Sequence, residues 1–310
     1  MSGVRAPYGY VSRFVESVQA SGRLLFSENE AREGTGVDGT ALREALRRNS
    51  ATGAIRRLSR KSELFLIVPP EYRTMGAPPP DAWLDRAMQR IGQPYRIGML
   101  SAAERLGSAH FAVMELQVMT TKWMPPLEVG RQRVRFVQEA PWSDAPVKVT
   151  NGFWGKIVVS APETCILEIL RHRTYGAARV VMLLSDLMAE FEPVRFERAL
   201  AAMNDVPAAQ RLGFLLRTMG NDDLADIVKK WIGTGQPRVI ALDAREGAGY
   251  AVDREWNVRI NDGWDDEIQE RSPWPNLAEK NGVKVAWLVR RAVERLIEQA
   301  EGGPLLPLDL

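Results

Sequence analysis

The first fifty residues carry apolar side chains at helical spacing, and this spacing predicts three helices. The apolar face of the first helix consists of Val11, Phe14, Val15 and Val18. We expect this helix to end at Gly22, because glycine readily adopts the left-handed conformation that follows a helix. Ser27 and Glu30 have the spacing of a capping box, which predicts a short second helix that Gly34 and Gly36 break.

The third helix is predicted to begin at Asp38 or Thr40, since both are favourable capping residues, and to end at Gly53. Its inward stripe consists of Leu42, Ala45 and Leu46. Two β-type segments, 54–58 and 64–69, follow and are joined by a polar loop. The predicted order of elements is a helix, a short helix, a glycine-containing turn, a helix and a hairpin. This is the order of a winged helix-turn-helix, in which the second helix of the pair enters the major groove of DNA.

Basic residues concentrate in the same region, although the chain of 310 residues has a net charge of only +2. Residues 1–61 hold 11 basic and 6 acidic side chains, and the rest of the chain holds 30 and 33. The first fifth of the chain is therefore basic and the remainder is mildly acidic. This distribution of charge predicts that the N-terminal segment is a module that binds polyanions. The residues that we expect to contact DNA are Thr40, Arg43, Arg47, Arg48, Arg56, Arg57, Arg60 and Lys61.

The positions of these residues predict two roles. Thr40, Arg43 and Arg47 lie on the third helix, from which side chains reach base edges, and arginine suits guanine O6 and N7. The basic residues between positions 56 and 61 lie on the hairpin, where phosphate contacts would give salt-dependent affinity without sequence choice. The alternative for the third helix is an exposed amphipathic helix whose arginines are only solvated.

A proline run at 75–83 breaks the periodicity and predicts a domain boundary. We expect a winged helix-turn-helix domain at 1–72 and a larger domain at 73–310. The predicted fold class is therefore α+β, with the winged helix followed by a mixed α/β domain rich in helices.

Within the larger domain, Asp81 is expected to cap a helix and Ser101 to begin another. Strand-like segments follow between 111 and 160. Helical patterns then dominate up to an extended stretch near 238–262, and the tail predicts an amphipathic helix at 283–300.

Catalytic and metal-binding motifs are missing from the sequence, which has no phosphate-binding glycine loop, dinucleotide fingerprint, zinc-protease helix or nucleophile elbow. One cysteine, Cys165, and two histidines, His110 and His172, cannot form a Cys/His zinc site. Cys165 is predicted to be a buried apolar residue. The segments EGAGY (246–250) and WDDEIQE (264–270) are expected to be a turn and a solvated acidic loop. We expect no enzyme activity, no cofactor and no metal.

The hydropathy of the chain gives no sign of a membrane protein. No apolar run approaches the ~20 residues that cross a bilayer. The first residues lack the apolar segment of a secretory signal. We therefore expect a cytoplasmic protein without membrane contact.

Three passages together resemble the antitoxins of bacterial type IV toxin–antitoxin systems, the AbiEi family. The first is the predicted winged helix, from LLFSENE to PPEY (24–72). The second is PYRIGMLSAAERLGSAHFAVMELQVMTTK (94–122). The third combines GKIVVSAPETCILEIL (155–170) with AAQRLGFLLRTMG (208–220). The resemblance lies in the ordered combination of these passages.

This resemblance implies that the N-terminal module binds inverted repeats of double-stranded DNA in its own promoter and represses transcription. It also implies that the larger domain counteracts a nucleotidyltransferase-like toxin, without a stable complex. The segment GSAHF (107–111) is not followed by the paired aspartates of a nucleotidyltransferase, which agrees with an antitoxin role. The alternatives are a nucleic-acid-processing enzyme and a protein-interaction module with a basic N-terminal face.

Overall fold

The computed structural model describes residues 9–59, 62–108, 113–139, 144–152, 155–172, 175–235, 237–243 and 251–260. The chain divides into two compact units, Met1–Ala161 and Pro162–Leu310. Several predicted features lie outside the described residues: Arg60, Lys61, His110, the segments 246–250 and 264–270, and the helix at 283–300.

The first unit begins with three helices and a small antiparallel sheet. The helices are α1 (Tyr10–Ala20), α2 (Glu28–Thr35) and α3 (Gly39–Ala51). The strands are β1 (Leu25–Ser27), β2 (Ile55–Arg57) and β3 (Leu64–Ile67). β3 lies between β1 and β2, so that Phe65 is opposite Phe26 on one side and Arg57 on the other. The sequence pattern predicted every one of these elements except β1, which has only three residues.

The predicted capping box at the start of α2 is confirmed. The Ser27 hydroxyl accepts a hydrogen bond from the Glu30 amide at 3.1 Å, and the Glu30 carboxylate accepts one from the Ser27 amide at 2.7 Å. The prediction that Gly34 breaks α2 is wrong, because the helix continues through it and ends at Gly36, which has φ +66°. Gly34 instead leaves room for the ring of Phe14, which a Cβ at position 34 would overlap.

The rest of the first unit is a six-stranded sheet with two helices. The strands are β4 (Tyr95–Ile97), β5 (Leu116–Thr120), β6 (Leu127–Val129), β7 (Gln132–Gln138), β8 (Val147–Gly152) and β9 (Gly155–Ser160). The helices are α4 (Leu84–Ile91) and α5 (Met99–Arg105). The order is β6-β7-β5-β4-β9-β8, with β5–β7 and β4–β9 parallel. β5 lies inside the sheet and all its residues are buried, which accounts for the absence of charged residues from its sequence, LQVMT.

The predicted cap at Asp81 is wrong. Asp81 lies in a short 3₁₀ turn, Pro80–Ala82, and α4 begins only after Trp83. The carboxylate of Asp81 instead forms an ion pair with Arg105, whose Nη2 lies 2.7 Å from Oδ1.

Helix α5 begins at Met99, two residues earlier than the predicted start at Ser101. The reason is a contact from a distant strand, because the Leu100 amide donates a hydrogen bond to Oε1 of Gln117 at 2.9 Å. A side chain of β5 therefore satisfies the first turn of the helix.

Glu30 also connects α2 to α4 within the first unit. Its carboxylate pairs with Arg23, and its two oxygens lie 2.5 and 2.9 Å from the guanidinium nitrogens of Arg90. The hydrogen bonds from Arg90 are the main cause that lowers the pKa of Glu30 from 4.5 to about 2, against the opposing effect of burial.

We expect Glu30→Gln to lower the free energy of unfolding in a pH-dependent way. Because the pKa of Glu30 is lower in the folded chain, the ionised carboxylate stabilises the fold fully above pH 4.5, and this contribution is lost as the pH falls towards about 2. Urea unfolding at pH 7 and pH 3 should give a larger difference from the wild type at pH 7. Glu16→Gln, which changes an exposed residue of α1, is the control. An equal loss at both pH values would contradict this assignment.

The second unit is mainly helical. Its helices are α6 (Pro162–His172), α7 (Ala177–Met188), α8 (Pro193–Met203), α9 (Val206–Thr218) and α10 (Asp222–Ile232). A small sheet has the order β10 (Ile240–Ala241), β12 (Val258–Arg259) and β11 (Val252–Asp253). α9 forms the centre of this unit, since residues 208–216 are all buried. Cys165 is fully buried, as predicted.

Candidate nucleic-acid interface

The outward face of α3 carries four of the predicted contact residues. Thr40, Arg43, Arg47 and Arg48 are all exposed. The opposite side of the helix consists of Leu42, Ala45 and Leu46, which are buried as predicted. Burial of this stripe fixes the rotation of α3, so that its arginines must face solvent.

Within the described residues, the side chains of Arg43 and Arg47 contact their own helix. Nε of Arg43 donates to the carbonyl of Gly39 at 3.4 Å, one turn earlier. Nη2 of Arg47 lies 3.0 Å from a carboxylate oxygen of Glu44, and this hydrogen bond lowers the pKa of Glu44. The two side chains of that pair are 71% and 48% exposed, so the pair is weak and Arg47 can exchange it for another anion.

Arg56 and Arg57 lie on opposite faces of β2, as consecutive residues of a strand must. Nη2 of Arg57 lies 3.2 Å from the Glu28 carboxylate at the start of α2, and its guanidinium lies over the ring of Phe65 at 5.3 Å. Arg56 instead packs beside Gly76, where an added Cβ would lie 3.2 Å from its Nη2. The structure therefore places Arg57 near the start of α2 and Arg56 beside Gly76, on the other face of the strand.

Carboxylates also surround the start of α3, and sequence reasoning missed them. A surface cleft of about 540 Å³ is lined by Glu28, Asn29, Arg32, Asp38, Gly39, Leu42, Arg43 and Glu63. Asp38 is the N-cap residue of α3, but its side chain makes no capping hydrogen bond. Carboxylates repel phosphate, and in a DNA groove they suit the amino group of cytosine. The exposed face of α3 therefore combines arginines, which attract phosphate, with nearby carboxylates, which repel it. These carboxylates restrict the positions that a DNA backbone can occupy.

The interior of the first unit holds a buried ion pair that the sequence pattern did not predict. Nη2 of Arg96, on β4, lies 2.7 Å from Oε2 of Glu139, and the two side chains are 1% and 2% exposed. The second unit has a comparable pair, in which the fully buried carboxylate of Glu163 lies 2.8 Å from Nε of Arg195. Glu139 directly follows β7 and Glu163 lies three residues after β9, and nothing local in the sequence distinguishes either from a surface residue.

Residues 96–218 match the family model of the AbiEi antitoxin C-terminal domain. The resemblance to the AbiEi antitoxin family is confirmed. The AbiEi match begins at Arg96 on β4 and ends at Thr218, the last residue of α9. It covers most of the second and third passages that carried the resemblance in the sequence. The elements α1 to β3 lie outside it.

The crystal structure of the RV2827C protein from Mycobacterium tuberculosis has a similar fold. The TM-score is 0.65 at 18% sequence identity, over 86% of this chain and 95% of that chain. At this identity the likeness establishes the fold alone. A comparison with curated proteins gives no match.

The described residues place limits on other kinds of site. Among them, no three His, Cys, Asp or Glu side chains come together in a way that could hold a metal ion. His172 lies in the last turn of α6 and is half-buried. No helix in the described ranges is long and apolar enough to cross a membrane.

Proposed function

We propose that this protein is an antitoxin that represses its own transcription by binding DNA through α3 and the β2–β3 hairpin. The antitoxin role is supported by the match of residues 96–218 to the AbiEi antitoxin C-terminal domain, a model that describes an antitoxin and names no catalytic activity. DNA binding is the finer part of the proposal, and it rests on the first three helices and the small sheet.

The observation that carries the DNA-binding proposal is the exposed arginine face of α3. α3 follows α2 after a short turn and precedes a two-stranded hairpin, which is the arrangement of a winged helix-turn-helix with α3 as the reading helix. The order β1-β3-β2 places the hairpin beside β1, and its loop is the expected wing. Arg57, Arg60 and Lys61 are the proposed wing contacts. Arg56 is the weakest of the predicted contacts, because it packs at Gly76.

The proposed partners follow from the family and from this face. The first is double-stranded DNA with inverted repeats in the chain's own promoter. The second is a nucleotidyltransferase-like toxin, which the protein neutralises without forming a stable complex. Both interactions are proposed to take place in the cytoplasm. A non-enzymatic mechanism is part of the same proposal. The second candidate is a protein-interaction surface, which Glu28, Asp38 and Glu63 favour because they give the face a mixed charge.

We expect Arg43→Ala or Arg47→Ala to weaken binding to the chain's own upstream DNA by about 1–3 kcal/mol. The two side chains lie one turn apart on the exposed face of α3, so both can reach one major groove. Fluorescence anisotropy with upstream DNA and with random DNA, at two salt concentrations, measures the loss.

The control for this experiment is Arg13→Ala, which removes an exposed arginine from α1. It should leave both affinities nearly unchanged. A loss that is equal on upstream and random DNA would assign Arg43 and Arg47 to phosphate contacts. A chain that binds neither DNA would rule out the repressor role.

The antitoxin role has a separate test. Co-expression of the full chain with the product of the adjacent reading frame should restore growth if that product is the cognate toxin. The variants at Arg43 and Arg47 should still restore growth, because they lie outside the matched residues 96–218. Loss of protection in those variants would place neutralisation in the first three helices.

A further inference from the structure

A cleft in the second unit combines exposed basic residues with exposed aliphatic side chains. It has a volume of about 680 Å³ and lies between the C-terminal end of α10 and the small sheet. Three exposed basic residues line it: Lys229, Arg238 and Arg254. In the part of the chain that the structure describes, the side chains of Arg238 and Arg254 make no ion pair or hydrogen bond.

Among the described residues of the lining, the one carboxylate, that of Glu255, is already paired. Oε1 of Glu255 lies 3.1 Å from Nη2 of Arg217, outside the cleft lining. Lys229 donates a hydrogen bond to the Glu255 carbonyl, which leaves its positive charge without a carboxylate partner in the described residues. The cleft therefore presents an excess of positive charge.

The walls of the cleft are fixed by α9. The side-chain amide of Gln210 donates to the carbonyls of Trp256 at 2.8 Å and Arg238 at 3.1 Å, so one buried residue holds both walls. The turn between β11 and β12 is closed by Asp253, which accepts a hydrogen bond from the Trp256 amide at 2.8 Å, and by Asn257, which has φ +52°. This turn directs Trp256 inward and leaves Arg254 exposed.

The two arginines lie on opposite sides of β12. Arg238 precedes β10 by two residues and Arg254 directly follows β11, and these strands flank β12. Since neighbouring strands are about 4.8 Å apart, the two backbone segments are about 10 Å apart. This spacing suits a ligand that carries several separate anionic groups better than it suits one compact phosphate.

The apolar part of the lining is aliphatic. Val239 and Val252 are 47% and 39% exposed, and Ile232 and Pro237 lie beside them in the lining. Among the described residues of the lining, Trp256 is the one aromatic residue, and it is only 2% exposed. Single-stranded nucleic acids and nucleotides bind with their bases stacked on exposed aromatic rings, and the described part of the lining offers none.

We propose that this cleft binds an acidic segment of a partner protein, an extended peptide with aspartate or glutamate residues separated by aliphatic ones. The carboxylates pair with Arg238, Arg254 and Lys229, and guanidinium groups suit carboxylates because they can donate two parallel hydrogen bonds. The aliphatic residues of the peptide cover Val239 and Val252. The inference is independent of DNA binding, which is assigned to the first unit.

The test is selection from a peptide display library on the full-length chain, followed by calorimetry with a synthetic peptide of the enriched sequence. We expect enrichment of sequences in which Asp or Glu alternates with Ile, Leu or Val. The enriched peptide should bind the double variant Arg238→Ala/Arg254→Ala at least tenfold more weakly than the wild type. Lys230→Ala, which removes an exposed charge from α10 outside the lining, should bind as the wild type does.

Circular dichroism of the double variant establishes that it is folded. The proposal fails if no acidic sequence is enriched, or if the enriched peptide binds the double variant as tightly as the wild type. Pyrophosphate and a single-stranded RNA 12-mer serve as competing probes. If either binds more tightly than the peptide and loses its binding in the double variant, the cleft is a phosphate site and the peptide proposal is wrong.

Discussion

Replacing Glu139 with leucine is expected to lower the free energy of unfolding by about 3–5 kcal/mol. Arg96 and Glu139 form an ion pair at 2.7 Å, and both side chains are almost fully buried. The variant removes the negative charge and leaves the guanidinium in the interior of the sheet without it. The cost arises because the buried guanidinium loses a carboxylate at 2.7 Å, and little water reaches it to compensate.

Two further variants separate this effect from a general effect of the substitution. Glu128→Leu breaks an exposed pair with Arg133 on the same sheet, where the atoms are 3.5 Å apart and the side chains are 69% and 67% exposed. It should change stability by less than about 1 kcal/mol. The double variant Arg96→Met/Glu139→Leu should recover much of the loss, since a buried pair replaced by apolar residues is often neutral.

Urea unfolding of the full chain, monitored by circular dichroism, measures these differences. If Glu139→Leu and Glu128→Leu have the same effect, the buried pair does not stabilise the sheet. The result also guides functional assays. A variant of Arg96 or Glu139 that fails in the DNA-binding assay of the proposed function is expected to do so through unfolding of the first unit, because both side chains are almost fully buried.

Local sequence signals were sufficient to predict the first three helices and the hairpin that follows them. The capping box at Ser27 and Glu30 is a contact between residues three positions apart, so the sequence alone predicts it. The buried stripe of α3 depends on helical periodicity, which the apolar residues display directly.

Contacts between distant residues account for the predictions that were wrong. Gly34 continues a helix because Phe14 packs against it, and α5 begins early because Gln117 caps it from another strand. The separation of Arg56 from Arg57 could have been predicted from strand alternation, but the contact of Arg56 with Gly76 could not. The walls of the cleft in the second unit likewise depend on Gln210, which contacts residues 28 and 46 positions away.

The site residues on α3 and the hairpin remain predictions, while the resemblance of residues 96–218 to the AbiEi antitoxin C-terminal domain is confirmed. The resemblance to the family rests on long passages of sequence, and the family model matches a continuous stretch, residues 96–218. A DNA contact depends on a few exposed side chains, and an exposed arginine looks the same in the sequence whether it binds phosphate or only water. Affinity measurements on single variants are therefore needed to assign the residues of α3.

We expect Gly213→Ala to destabilise the second unit by about 3 kcal/mol. A Cβ at position 213 would overlap the six-membered ring of Trp256. Neither partner can move away easily, because Trp256 is 2% exposed and α9 is buried along residues 208–216. Helix propensity alone predicts the opposite sign, a gain of about 1 kcal/mol when alanine replaces a glycine inside a helix. The sign of the change in the free energy of unfolding therefore decides whether the Trp256 ring packs against Gly213.

The control for Gly213→Ala is Gly235→Ala, which has open space around the added methyl group and no positive φ. It should leave stability nearly unchanged, and Trp256→Leu in the Gly213→Ala background should recover part of the loss.

Since Gly213 lies inside the matched residues 96–218, the Gly213→Ala variant should also protect cells less well against the cognate toxin. Binding to upstream DNA should persist, because the proposed interface belongs to the other compact unit. A stabilised Gly213→Ala variant would show that the tryptophan lies elsewhere, and loss of DNA binding with protection retained would reverse the assignment of the two roles.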